Sequence, residues 1–188
     1  MSDATIKQLR LKQLIFMNGT VILVFAMFLI ISHVFPFSFN SFIQVMAVIT
    51  FIQAIVGLFR LESTKSLIPF VEEIARYEKE KLGREWIKRK KSGVLLSFIL
   101  GIILLNQSMM VGRSNEEIFR PELWVMILVA LLWLLFTNIE LVVRSRKIDQ
   151  SDSSVELTNF TSNSIAKGLV IGLVYSVFFI VIIVFYIL

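Results

Sequence analysis

Residues 13–59 read QLIFMNGTVILVFAMFLIISHVFPFSFNSFIQVMAVITFIQAIVGLF, 47 consecutive positions without an Asp, Glu, Lys or Arg. At ~1.5 Å rise per residue this is roughly 70 Å of helix, about twice the ~30 Å hydrocarbon core of a bilayer, so the run has to fold back. Pro36 marks the place, because proline lacks an N–H and disfavours helix at the residue before it. Residues 36–40 are then a short turn, and spans 14–35 and 42–59 are expected as a tight antiparallel hairpin.

Three more apolar runs, 94–111, 123–143 and 166–188, are also long enough to cross a membrane. Of the 188 residues, 56% are hydrophobic and 18% charged, against about 25% charged in a typical soluble domain. The expected fold class is an all-α integral membrane protein, one membrane domain of five transmembrane helices. The first run exceeds the ~7–15 residues of a signal-peptide core and is expected to stay as an uncleaved span.

Basic residues give the orientation. Lys7, Arg10 and Lys12 precede the first span, ten Lys and Arg lie within 60–92, Arg113 and Arg120 lie within 112–122, and Arg144, Arg146, Lys147 and Lys167 flank the last loop. Five spans with a cytoplasmic N-terminus put 17 of these inside and two outside, the asymmetry that sets membrane topology. The C-terminus is expected outside, and the cell membrane is the expected location.

The segment 63–91 is the one sizeable hydrophilic element. Leu67, Phe70, Val71, Ile74, Leu82 and Trp86 recur at helical spacing, and Glu72–Arg76, Glu80–Arg84 and Glu85–Arg89 are acid-before-base pairs at i,i+4. This predicts a cytoplasmic amphipathic helix between spans 2 and 3, with Ser63, Thr64 or Ser66 as its cap. Trp86, Lys88, Arg89, Lys90 and Lys91 close it. Tryptophan prefers the headgroup region and clustered bases attract anionic lipid, so these five are candidates for binding inner-leaflet headgroups or a protein partner. Without aromatic interleaving or a known module, nucleic acid is not an expected partner.

Small residues mark helix-packing faces. Ala47, Ala54 and Gly57 share one in the second span with Thr50, Ser97 and Gly101 are four apart in the third, and Gly168, Gly172 and Ser176 lie on one side of the fifth. These are expected to pack within the bundle or, alternatively, between copies of the chain. Polar residues inside spans are functional candidates by default: Gln53, Asn106, Gln107, Asn138 and Glu140, with Asn18 and Gln44. Glu140 has Arg144 four residues on as its expected partner.

No catalytic constellation is present. A single histidine, His33, excludes HExxH, and there is no GxSxG, Walker A or dinucleotide fingerprint. With no cysteine there are no thiolate ligands or nucleophiles. No cofactor or metal is expected. The expected function is a non-catalytic accessory, regulatory or self-protection subunit acting through a partner at the cytoplasmic face. A small oligomeric transporter or channel with polar residues lining a path is the alternative.

Overall fold

The computed structural model describes residues 3–111, 122–151, 157–166, 168 and 170. Every element in them is an α-helix: α1 (Asp3–Val34), α2 (Phe39–Phe59), α3 (Pro69–Leu82), α4 (Arg84–Val111) and α5 (Leu123–Gln150). Four of these, all but α3, are long and apolar enough to cross a membrane. Apart from Ala166, Gly168 and Val170, the expected fifth span lies outside the described residues.

The turn at Pro36 occurs where expected. Ser38 caps α2, its hydroxyl accepting from the Ser41 N–H at 3.2 Å. The tight hairpin does not form. Among the described residues α1 and α2 touch near the turn, where the Phe28 and Phe42 rings stand 5.1 Å apart, and do not pack along their length. Instead α2 packs on α4, and α1 on α5. The reason lies in side-chain size. One face of α2 is smooth, with Ala47, Thr50 and Ala54 all buried, and it takes a neighbour at close range. A Cβ added at Gly57 would stand 2.7 Å from Val94 Cγ2, and one at Gly101 would stand 2.9 Å from the Phe51 ring. Phe51 also meets Phe98, with centroids 6.0 Å apart. On α1, Gly19 has nothing within 4 Å.

The expected single helix over 63–91 is divided. Residues 60–68 are irregular, α3 is a separate 14-residue helix, and α4 starts at Arg84 and runs directly into the third span. The break is Gly83, at φ 52° and ψ −119°, a conformation that a side chain disfavours. Trp86 and the bases after it therefore belong to the first turns of a spanning helix. None of Ser63, Thr64 and Ser66 caps α3. Its N-cap is Ile68 without a side-chain bond, Pro69 supplies the first turn, and the Ser66 hydroxyl instead accepts from the Ile68 N–H at 3.2 Å.

The two ends of the bundle differ. At one, Ser108 of α4 donates to Asn40 of α2 at 2.6 Å. At the other, the end of α3, the start of α4, the end of α5 and the 157–160 segment form a small core of Leu82, Trp86, Ile148, Leu157 and Phe160, with Tyr77 packed against it and Arg10 of α1 over the Tyr77 ring. Between the ends, large apolar side chains such as Ile22, Leu23, Ile52, Ile102 and Trp133 are exposed, far more apolar surface than a soluble monomer shows.

Candidate functional site

Glu78 stands where α1, α3, α4 and α5 meet. It follows Ile74 and precedes Leu82 at intervals of four, so the face of α3 that buries two apolar side chains also buries a carboxylate. Its side chain is 6% exposed. Oε1 accepts from Arg10 Nη1 of α1 at 2.8 Å and from Arg144 Nη2 of α5 at 2.9 Å. Arg89 Nη1 of α4 lies 3.6 Å from Oε2. Burial pushes the Glu78 carboxyl up, but Arg144, Arg10 and Arg89 together outweigh it, and its pKa is lowered.

Arg10 extends the cluster. Its Nε and Nη2 donate to the two oxygens of Asp149 at 3.1 and 2.9 Å, a bidentate pair, and Nη1 also donates to Gln13 at 3.0 Å. Its guanidinium lies over the Tyr77 ring, 5.9 Å from the centroid. One arginine near the start of α1 thus holds α3 and the end of α5.

A second layer surrounds Trp86, which is 4% exposed. Lys90 Nζ lies 4.3 Å and Lys79 Nζ 5.3 Å from the ring centroid. The same ammonium groups donate to the chain leaving α2: Lys90 to the Arg60 and Ser63 carbonyls at 3.3 and 3.0 Å, and Lys79 to that of Glu62 at 2.7 Å. Glu85 accepts from Lys88 at 2.7 Å and from the Thr161 N–H at 3.0 Å, while Thr161 Oγ1 donates to the Glu85 carbonyl at 3.0 Å. This ties the 157–166 segment to α4.

Between the layers lies a cavity of about 360 Å³ lined by Val71, Ile74, Glu78, Trp86, Arg89 and Arg144, with Gln13 and Lys90 also on its wall. Among the described residues, Arg144 Nε is buried without a hydrogen-bond partner, and Arg89 approaches a carboxylate no closer than the 3.6 Å to Glu78.

The structure separates residues that the sequence groups. Lys88, Arg89, Lys90 and Lys91 are consecutive on a helix, about 100° apart, so they cannot share a face. Lys88 pairs with Glu85, Arg89 turns to Glu78, Lys90 holds backbone carbonyls, and Lys91 is exposed. The expected Glu85–Arg89 pair is replaced by these, and Glu80 and Arg84 fall on either side of the Gly83 break. Arg144 reaches Glu78 rather than Glu140, which is exposed. Glu72–Arg76 forms, at 2.5 Å.

Asn138 donates to Asn18 at 2.8 Å and joins α5 to α1. Gln53, Asn106 and Gln107 are exposed on their helices. Ala47 and Ala54 are buried and Gly57 closely approached. Gly168 has nothing within 4 Å, and Gly172 and Ser176 lie outside the described residues. Sequence reasoning missed Glu78, Arg10 and Asp149. The signal for Glu78 was the intervals of four that set it between Ile74 and Leu82; the other two carry none, since Arg10 and Asp149 are 139 positions apart.

No group of His, Cys, Asp and Glu among the described residues could hold a metal ion. No family model, curated protein or solved structure matches the chain, so its function is argued from these residues alone.

Proposed function

We propose that this chain is a non-catalytic, multi-pass protein of the cell membrane, an accessory, regulatory or self-protection subunit acting through a protein partner at its cytoplasmic face. In this reading, residues 166–188 supply a fifth span, the N-terminus is cytoplasmic and the C-terminus extracytoplasmic, and α3 with its flanking loop borders the inner leaflet. The observation that carries it is the concentration of ordered polar chemistry at one end, where Glu78, Arg10, Arg89, Arg144 and Asp149 tie four helices. Above this base α3 presents Glu73, Arg76 and Glu80, exposed at helical spacing, and Leu67 beside it is fully exposed. An apolar residue next to mixed charges suits a protein partner, for which the apolar group anchors and the charges set specificity.

The test is affinity isolation of the full chain from its native membrane in mild detergent. A stoichiometric partner is expected, and reversing the charges with Glu73→Lys, Arg76→Glu and Glu80→Lys is expected to reduce its recovery at least tenfold at unchanged membrane level. Recovery of the chain alone, or of the same partner by the reversed variant, contradicts the reading. The second reading, an oligomeric transporter or channel, draws on Gln53, Asn106 and Gln107, polar and exposed on otherwise apolar helices. Solute flux by the purified protein alone in liposomes would favour it.

A further inference from the structure

Arg89 and Arg144 are guanidinium groups with donors to spare. Each carries five N–H donors in a planar fork. Among the described residues Arg144 spends one on Glu78 and leaves a buried Nε unpartnered, while Arg89, two-thirds buried, lies 3.6 Å from Glu78. Buried N–H groups without an acceptor are costly, and a bound ion or ligand is one of the arrangements that satisfies them. Both side chains wall the same cavity.

The charge around it is unbalanced in the same sense. Of the charged side chains that line it, Arg89, Lys90 and Arg144 are cations and Glu78 is the one carboxylate, while Glu140 acts on Arg89 from the surface of α5. Glu78 is already occupied by Arg10 and Arg144, which leaves the excess on the Arg89 side. The rest of the lining is mostly apolar, Val71, Ile74, Ala75 and Gly93, with Gln13 and the already paired Glu78 as its other polar members. An oxyanion head between two guanidiniums, with apolar surface beside it, fits that lining. Planar forks match phosphate oxygens two at a time, and basic pockets between helices at a membrane surface are suited to lipid headgroups.

We propose that the cavity beside Glu78 is a phosphate-binding site, with Arg89 and the free Nε of Arg144 as its donors and an anionic phospholipid as the occupant its apolar walls favour. Arg89 is the specificity-determining residue, and Trp86 and Lys90 line the same cavity. This goes beyond the partner reading and needs only that the chain resides in a bilayer. Loss of the protein partner would leave it standing.

The full chain is purified and its thermal unfolding followed in mixed micelles of phosphatidylcholine, with and without phosphatidylglycerol, and separately with inorganic phosphate at constant ionic strength. Phosphatidylglycerol is expected to raise Tm by about 5 °C, as saturating ligand does for a chain of this size. Arg89→Gln is expected to lose most of that rise, and Lys7→Gln, the same charge change at an exposed position outside the cavity, to keep it. An equal rise with inorganic phosphate, also lost in Arg89→Gln, supports the site and assigns it to a free phosphate. An unchanged Tm with both ligands, or equal rises in wild type and Arg89→Gln, or equal losses in Arg89→Gln and Lys7→Gln, overturns the proposal. Should Arg89→Gln not fold, native mass spectrometry of the wild-type chain from an equimolar lipid mixture decides. Selective retention of one phosphatidylglycerol per chain supports the site, and retention without preference overturns it.

Discussion

Glu78 shows how a single position can hold a membrane protein's polar end together. A carboxylate on the buried face of α3 would ordinarily disrupt it, since taking a charge out of water costs several kcal/mol. Three arginines from three other helices offset that, each supplying what its own helix lacks. Removing one partner from such a cluster is worse than never having built it. Glu78→Ala leaves Arg10, Arg144 and Arg89 facing one another, and is expected to lower unfolding stability in detergent by about 3–5 kcal/mol. The pH dependence has a definite sign. The folded pKa of Glu78 lies below its ordinary value of 4.5, so the stabilisation is present above that value. It is lost as pH falls through the lowered folded pKa, when the carboxyl protonates and the arginines lose their counter-charge. Wild type is therefore expected to lose stability on acidification in that window, and Glu78→Gln to lack that component; calorimetric or fluorescence-detected unfolding across pH 3–7 measures both.

Among the elements, pairing is decided by the few positions where a helix is not bulky. All four long helices are apolar around most of their circumference, and apolar surface has no preference between a lipid tail and another helix. What distinguishes α2 and α4 is that each offers a glycine to the other's side chains: Gly101 of α4 admits the Phe51 ring, and Gly57 of α2 admits Val94. Gly101→Ala puts a methyl group 2.9 Å from the Phe51 ring. It is expected to cost about 1–3 kcal/mol as an overpacked contact, with Phe51→Leu in the same chain restoring part of the loss. Gly19→Ala, in open space on α1, is the matched control and is expected to be neutral or slightly stabilising. The α1–α5 pair is held differently, by the Asn18–Asn138 bond and by Arg10 on Asp149. Interhelical bonds of the first kind contribute about 0.6–1.7 kcal/mol in a bilayer.

The same contrast explains what was legible in the sequence. Span boundaries follow from uncharged length, and the turn follows from Pro36, because both depend on residues near one another. The smooth face of α2 was legible for the same reason. The hairpin was not, because which helix α2 joins depends on Gly101, more than 40 positions beyond the α2 glycine at 57. Gly83 lies inside the stretch expected as one helix; its left-handed φ makes it a terminus, and Trp86, expected at the headgroups, is in the core. Reading Lys88–Lys91 as a patch treated adjacent letters as neighbours in space, which a helix forbids.

For the whole molecule, the consequence is sidedness. The salt-bridge cluster joins the start of α1, α3, the start of α4 and the end of α5, so these, with the chain between α2 and α4, lie at one end of the bundle. Asn40 and Ser108 meet at the other. Arg and Lys are concentrated at the first end, where a cytoplasmic face is expected to carry them. The partner surface proposed for α3 depends on this assignment, because a docking element is useful only in the compartment that holds its partner.

The absence of cysteine makes that assignment directly measurable by single-cysteine labelling with a membrane-impermeant maleimide on intact cells. Lys65→Cys and Asn163→Cys are expected to be protected until the cells are lysed, Ser41→Cys and Ser114→Cys to react at once, and a tag after Leu188 to be reached from outside. Labelling of Lys65→Cys in intact cells would place the cluster end outside and contradict the account, as would reaction of Ser41→Cys and Lys65→Cys from the same side.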